Sequence, residues 1–172
     1  MAREMPSTHK DLFHKMSRAD FDAAVKRLDQ RIPSLKRNQI IVEMMKIVAM
    51  VGDGHSNIYP TRDEKIGFHS LPIKLYLFKD GLFVRTADRA HADLVGARVV
   101  KIGDASPDDA VNRIAPLIGH DNEMGVRFFA TSLLAIIMWH PFAEEVEFGI
   151  IFSVVALIAN SSYFIGISLI FK

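Results

Sequence analysis

Cysteine is absent from this 172-residue sequence, which excludes disulfides and thiolate metal sites and leaves the redox compartment open. An excess of charge is absent as well, because 21 lysines and arginines stand against 20 aspartates and glutamates, for a net charge of +1. Since there is no long run of one sign, the composition gives no case for nucleic acid as a partner. The opening residues, "MAREMPSTHKDLFHKM", contain no continuous apolar stretch, so no secretory signal peptide is predicted and the localisation is left open.

Patterns typical of metal or cofactor sites are missing too. The histidines show no metal-ligand spacing, such as two at i and i+4 with a glutamate between them. Gly52-Asp53-Gly54 has the look of a dinucleotide loop, but it follows a helix rather than a strand, and Asn57 stands in place of the third glycine. We therefore predict neither a metal nor a cofactor. The seven histidines are His9, His14, His55, His69, His91, His120 and His140.

Charge is absent from one long segment near the end of the sequence. Every acidic residue, and every basic residue except Lys172, lies within residues 1–147, whereas residues 148–171 carry no charge. As a helix with a rise of about 1.5 Å per residue, this segment would cross a hydrocarbon core of about 30 Å. We predict two parts, a charged folded region over 1–147 and an apolar helix over 148–171 that would act as a membrane anchor. Two alternatives stay open: a pair of buried strands around Asn160-Ser161-Ser162, or a translated frameshift or truncation scar.

Hydrophobic residues make up 49% of the sequence, enough for a sizeable core, and near the N-terminus they recur with a helical period. Ser17 and Asp20 form a helix-start signal ahead of "FDAAVKRLDQRI", and Pro33 ends that helix. Its predicted inward face consists of Phe21, Ala24, Val25, Leu28 and Ile32. A second helix is predicted from about Leu35 to Val51, ended by Gly52. Its predicted inward face consists of Ile40, Ile41, Met44, Ile47, Val48 and Val51.

Strand signals follow the two helices. "LPIKLYLF" and "LFVRT" flank Asp80-Gly81, so we predict a tight hairpin joining Ile73–Phe78 to Leu82–Thr86, with "ARVVKI" as a further strand. A helix is then predicted with Ser106 as its N-cap and Gly119 as its terminator, and "NEMGVRFFATSLLAIIMW" predicts another. The predicted fold class is α+β: an N-terminal helical pair, a β-hairpin and short mixed sheet with further helices, then an apolar C-terminal helix.

His55 is the one candidate catalytic residue. In "VAMVGDGHSNIYP" a helix stops abruptly, and an imidazole follows in a polar, glycine-containing loop. An unperturbed histidine titrates close to neutral pH, as a general base must. The alternative is a turn histidine that only satisfies backbone groups, which is the commoner role of a histidine in a loop.

The stretch "IPSLKRNQIIVEMMKIVAMVGDGHSNIYP" resembles the N-terminal part of the tail-specific and tricorn-like serine peptidases, a family that also contains the retinoid-binding protein repeats. In that family a two-helix region leads to a Gly/Arg-Asp-Gly-His-Ser/Thr signature, and a hairpin, a "vG-x-x-V-x-x-I-x-G" run and a helix leading to an asparagine follow. The resemblance spans about Asp11 to Leu134, with Gly96, Val99, Ile102 and Asn122 at comparable places. It implies that His55 is the base that activates a catalytic serine, and that the substrate is a peptide or protein C-terminus.

The sequence departs from this family in two ways. Gly54 stands where a tricorn-type enzyme has a serine, so a helper hydroxyl is missing. The family's nucleophile, its oxyanion-hole glycines and its Asp-x-Arg-x-Asn-x-Gly-Gly pattern are missing too, and the downstream serines lie in no glycine-rich turn that would make backbone N–H donors converge. These serines are Ser132, Ser153, Ser161, Ser162 and Ser168.

We therefore expect the N-terminal fragment of a serine peptidase, inactive alone because the nucleophile half is missing. The alternative is a non-catalytic module that binds an extended peptide or an apolar ligand, tethered to a membrane through residues 148–171. A degraded gene product without function is the third interpretation. The oligomeric state is left open.

Overall fold

Helices and antiparallel strands make up the fold, so the α+β class is confirmed by this computed structural model. The structure describes residues 1–60, 64–66, 68–102, 105–138, 155–157 and 166–168. The chain divides into two units. Unit 1 contains Met1–Thr61 and Pro116–Val126, and unit 2 contains Arg62–Ala115 and Arg127–Lys172. The boundary predicted between residues 147 and 148 lies outside the described residues.

Unit 1 begins with the predicted helical pair, preceded by one short turn of helix. The helices are α1 (Met5–Thr8), α2 (Arg18–Arg31) and α3 (Arg37–Ala49). The hydroxyl of Ser17 accepts the backbone N–H of Asp20 at 3.0 Å, which confirms the predicted start of α2. At its other end α2 gives way to a 3₁₀ turn over Ile32–Ser34, where Pro33 would have no backbone N–H for a longer helix.

The inward faces of the two helices were predicted with different success. Phe21, Ala24 and Leu28 are buried on α2 as predicted, and they share one core with Leu12, Met16, Ile47 and Val51. Of the other two predicted positions, Val25 is half-buried and Ile32 is exposed, because Ile32 lies in the 3₁₀ turn after the helix.

On α3, the predicted Ile40, Ile41 and Met44 are only half-buried. The buried apolar positions there are Val42, Met45, Ile47 and Val48. The predicted Ile47, Val48 and Val51 are buried, so the second half of the predicted face is confirmed and the first half is wrong. Eight of the thirteen residues of α3 are apolar, so the helical period alone specifies the buried face weakly.

Unit 2 contains the predicted hairpin at the expected place. Strand β2 (Ile73–Phe78) pairs antiparallel with β3 (Gly81–Ala87), and Phe78 faces Gly81 across the turn. The two loop residues are therefore Lys79 and Asp80, one position before the predicted pair, and Gly81 has the positive φ of 144°. The third strand, β4 (Arg98–Val99), is shorter than the predicted "ARVVKI". The expected mixed sheet is wrong: all strand pairs of the described residues are antiparallel.

The next helix, α4 (Pro107–Ile114), begins as predicted, with the Ser106 hydroxyl accepting the backbone N–H of Asp109 at 3.1 Å. Gly119 does not terminate it. The helix ends at Ile114 and continues as a 3₁₀ turn over Ala115–Leu117, in which Pro116 prevents further helical bonding.

The last predicted helix of the charged region is partly wrong. Helix α5 covers Glu123–Leu134, and the residues after it form strand β5 (Ile136–Met138). This strand pairs antiparallel with β1 (Phe68–Ser70). The run "LLAIIMW" is apolar at every position, and such a run gives no periodicity by which a strand can be told from a helix.

The predicted apolar helix over 148–171 lies largely outside the described residues. Within that range the structure describes two short strands, β6 (Val155–Leu157) and β7 (Gly166–Ser168), which pair antiparallel. In the part of the chain that the structure describes, no helix is long and apolar enough to cross a membrane. The anchor therefore stays a prediction from the sequence.

Candidate functional site

The loop that carries His55 begins where α3 ends. Gly52 has a φ of 76°, a left-handed conformation that glycine adopts without steric cost. A Cβ placed there would lie 2.5 Å from Cδ of Lys15, whose ammonium group donates to the Gly52 carbonyl. The helix ends at Ala49 with Met50 as its C-cap, two residues earlier than the predicted end at Val51. Gly52 follows the turn residues Met50 and Val51 and lets the chain turn beneath the lysine side chain.

The carboxylate of Asp53 organises the next residues into a turn. Its Oδ1 accepts the backbone N–H of His55 at 2.7 Å and that of Ser56 at 2.6 Å. Its Oδ2 accepts the Ser56 hydroxyl at 2.9 Å and lies 2.9 Å from Nε2 of His9. One carboxylate thus binds four donors, three from its own loop and one from the N-terminal segment. An aspartate that accepts backbone N–H groups just ahead of it is a common way to stabilise a tight turn.

The hydrogen bonds of His9 define the protonation of its ring. The backbone N–H of Asp11 donates to Nδ1 of His9 at 3.1 Å, so Nδ1 carries no proton in the neutral ring. The proton is then on Nε2, which donates to Asp53 Oδ2 and lies 3.1 Å from the Ser56 hydroxyl. Both ring nitrogens of this histidine are therefore bonded, Nε2 to the turn and Nδ1 to the backbone of Asp11.

The pKa of the Asp53 carboxyl reflects this arrangement. Burial alone raises its pKa, but the hydrogen bonds from Ser56, His55 and His9 outweigh burial and lower it from 3.8 to about 2. The carboxylate is therefore ionised throughout the neutral range, and its charge is compensated mainly by backbone and hydroxyl donors of its own loop.

A second set of bonds joins the loop to residues that follow α4. The side chain of Asn57 accepts the backbone N–H of Gly119 at 2.9 Å and donates to the Gly54 carbonyl at 3.0 Å. The backbone N–H of Gly54 donates to Oδ2 of Asp121 at 3.2 Å. The loop is thus fixed at three points: by the N-terminal segment, by its own aspartate, and by the segment around Gly119.

Gly119 has a role that differs from the predicted one. A Cβ at this position would lie 2.7 Å from the carbonyl oxygen of Asp53 and closer still to that of Ser56. Only a glycine lets the two backbone segments approach this closely. The residue predicted to terminate a helix instead packs directly against the His55 loop.

His55 itself is exposed at the outside of this fixed loop. Its backbone N–H is bound to Asp53, whereas no group among the described residues bonds its imidazole. The arrangement holds the backbone of His55 in place and leaves the ring available to a substrate or to another side chain. This geometry is compatible with a general base, which needs a free ring nitrogen.

Ser56 is close to a histidine and an aspartate, but the three are not arranged as a catalytic triad. In a triad the aspartate binds one ring nitrogen, and the other nitrogen accepts the serine proton. Here the same nitrogen of His9 faces both Asp53 and Ser56, and the Ser56 hydroxyl donates to the carboxylate. Because the remaining ring nitrogen is bound by the Asp11 N–H, no free base faces Ser56, and we do not assign it as a nucleophile.

The other residues of the resemblance have structural positions. Gly96 has a φ of 87°, and Val99 and Ile102 are buried in unit 2. The Asn122 side chain accepts the backbone N–H of Gly125 at 3.1 Å, at the start of α5. The downstream serine within the described helices, Ser132, lies on α5 away from any glycine-rich turn.

The sequence pattern predicted His55 as the site residue, which stays a prediction, but gave no sign of the residues that fix its loop: His9, Asp53, Asn57, Gly119 and Asp121. A local signal existed only for Asp53, because an aspartate two residues before an exposed position is typical of a side-chain-capped turn. His9 and Gly119 are 44 and 62 residues from their partners, so no local pattern could have revealed them. Among the described residues, no group of three histidine or acidic side chains could hold a metal ion.

Comparison of the chain with protein-family models, with curated proteins and with solved structures gave no match in any of the three. The resemblance to the tail-specific and tricorn-like peptidases therefore stays a prediction, and its basis is the order of motifs in the sequence.

Proposed function

We propose that this chain provides the base-presenting part of a serine-peptidase site of the tail-specific and tricorn-like kind, and that it does not hydrolyse peptides by itself. The observation that supports this proposal is the exposed, uncommitted imidazole of His55 on a loop fixed from both sides. The fragment interpretation rests on the resemblance and on the missing nucleophile pattern.

The chemistry assigned to His55 is proton removal from a serine hydroxyl. A general base must come within about 2.6–3.2 Å of the oxygen it deprotonates, and its ring nitrogen must be unprotonated and unbound. The exposed imidazole of His55 has no hydrogen-bond partner among the described residues, so its ring nitrogens are unbound. The serine and the oxyanion donors would have to come from residues outside the loop, because Ser56 is bound to Asp53. The substrate class would be the peptide or protein C-terminus that the resemblance implies.

We expect the purified chain to give no turnover of peptide substrates and no labelling of a serine by a fluorophosphonate. We also expect diethyl pyrocarbonate to modify His55 several-fold faster than His9, because His9 is bound through both ring nitrogens. His55→Ala should change the free energy of unfolding by less than about 0.5 kcal/mol, since its ring is exposed and has no hydrogen-bond partner in the part of the chain that the structure describes. Peptide turnover abolished by His55→Ala would disprove the proposed inactivity, and slow modification of His55 would disprove the exposed base.

A second candidate function, binding of an extended peptide or an apolar ligand, is supported by one face of the hairpin. Tyr76 and Phe78 are 41% and 48% exposed, and their ring centroids are 4.5 Å apart. The ring centroids of Phe83 and Phe78 are 5.6 Å apart, and Cζ of Arg85 lies 5.4 Å from the centroid of the Tyr76 ring. Contiguous exposed aromatic side chains are enriched at binding surfaces.

The double variant Tyr76→Ser, Phe78→Ser should weaken binding of an extended peptide rich in leucine and phenylalanine by about tenfold or more, because aromatic side chains carry much of the energy at such surfaces. Fluorescence anisotropy of the labelled peptide measures this. Phe128→Ser is the control, since Phe128 is 70% exposed but lies on α5 rather than on the hairpin. Equal weakening by both changes, or no binding by the unaltered chain, would contradict this second function.

A further inference from the structure

His9 lies outside the loop in sequence and yet contacts its turn. It follows α1 directly, and its Nε2 lies 2.9 Å from Oδ2 of Asp53 and 3.1 Å from the Ser56 hydroxyl. The same ring is oriented from behind by the backbone N–H of Asp11, at 3.1 Å from Nδ1. Only 24% of the His9 side chain and 18% of the Asp53 side chain are exposed, so this contact is shielded from water more than a surface ion pair would be.

The contact reaches the backbone of His55 in a single step. Oδ2 of Asp53 accepts a hydrogen bond from Nε2 of His9, and Oδ1 of the same carboxylate accepts the backbone N–H groups of His55 and Ser56. Because the two oxygens belong to one rigid plane, a donor that fixes Oδ2 also fixes the direction of Oδ1. Lys15 also bonds the chain near the loop, but its partner is the Gly52 carbonyl, which precedes the turn.

We infer that His9 is a positioning residue for His55: through the carboxylate of Asp53, it orients the turn that carries the exposed imidazole. The positioning role of His9 rests on the proposed role of His55 as a base, whereas the ordering of the turn by His9 does not depend on that role. Without His9, Oδ2 of Asp53 keeps only the Ser56 hydroxyl, the carboxylate can rotate, and the N–H groups of His55 and Ser56 are released part of the time.

The inference is tested by amide hydrogen exchange of the full chain, with His9→Ala, His9→Gln and His14→Ala compared with the unaltered protein. We expect His9→Ala to speed exchange at His55 and Ser56 about tenfold, the loss that one hydrogen bond to a charged acceptor represents. The glutamine amide can donate from a place near that of Nε2, so His9→Gln should restore most of the protection. His14 is the matched control, because its ring bonds the Asp11 carbonyl at 2.8 Å and no residue of the loop.

Three results would overturn the inference: unchanged exchange at His55 and Ser56 in His9→Ala, an equal rise in His14→Ala, or a rise in both His9 variants that spreads equally through α2 and α3. The last would show a general loss of stability. Rescue by glutamine, confined to the turn, would support it. The readout does not require His55 to act as a base, so a failed peptidase proposal and a failed positioning role give different results.

Discussion

Replacing Gly119 by alanine is expected to destabilise unit 1 by about 3 kcal/mol, because the added methyl group would overlap backbone atoms of the His55 loop. A Cβ there would lie 2.7 Å from the Asp53 carbonyl oxygen and 3.2 Å from Oδ1 of Asn57. The carbonyl oxygens of Asp53 and Ser56 are backbone atoms, so rotation of a side chain cannot relieve their contacts with the new methyl group. The loop must move away from Gly119, and that movement breaks the bond from the Gly119 N–H to Asn57.

Chemical denaturation followed by circular dichroism measures this loss. Gly125→Ala is the matched control, since its added methyl group would meet Cβ of His120 at 3.2 Å, a side-chain atom, and alanine is the better helix former in α5. We expect the control to change the free energy of unfolding by less than about 1 kcal/mol. A Gly119→Ala chain as stable as the control would show that the loop does not pack against Gly119.

Asp53→Asn is expected to cost about 2 kcal/mol at neutral pH and to remove a pH dependence of stability. Asparagine has one oxygen, so it cannot accept all four donors, and its amide would face the Nε2 proton of His9. In the unaltered protein the folded pKa of Asp53 is lowered from 3.8 to about 2. Its contribution is therefore fully present above the unfolded value and is lost as the pH falls from about 4 through about 2.

The measurement is the free energy of unfolding at several pH values for Asp53→Asn and for the control Asp121→Asn. Asp121 accepts one backbone N–H, at 3.2 Å, and is exposed, so its change should cost less and should leave the acid slope in place. If the free energy of unfolding of Asp53→Asn still fell between about pH 4 and pH 2 as in the unaltered protein, the Asp53 carboxylate would not be held by the turn.

Local chemistry accounts for the parts of the fold that the sequence predicted. Ser17 and Ser106 each accept a backbone N–H three residues ahead, a bond that needs no distant partner. The hairpin likewise depends on a turn between two adjacent strands. The prediction of an exposed loop at His55 also depends on a local feature, because Gly52 lies between the end of α3 and the loop.

The parts of the fold and of the loop that the sequence did not predict depend on contacts between residues far apart in the chain. Strand β5 was predicted as helix because its apolar residues fit either structure, and only pairing with β1 decides between them. The loop is held by His9 from one side and by Gly119 and Asp121 from the other, and none of these pairings leaves a periodic trace in the sequence. The residues that fix the loop from a distance are thus harder to predict from the sequence than the exposed histidine that the loop carries.

Because unit 1 is built from two separated stretches of chain, the order of synthesis matters for its loop. Asn57 leaves the ribosome 62 residues before Gly119, an interval of about 3 to 12 seconds at roughly 5–20 residues per second. During that interval the contacts to His9 and Asp53 can form, while those to Gly119 and Asp121 cannot. In a nascent chain the histidine loop is therefore held from one side only, and the bonds on its second side form after all three strands of the β2-β3-β4 sheet have been synthesised.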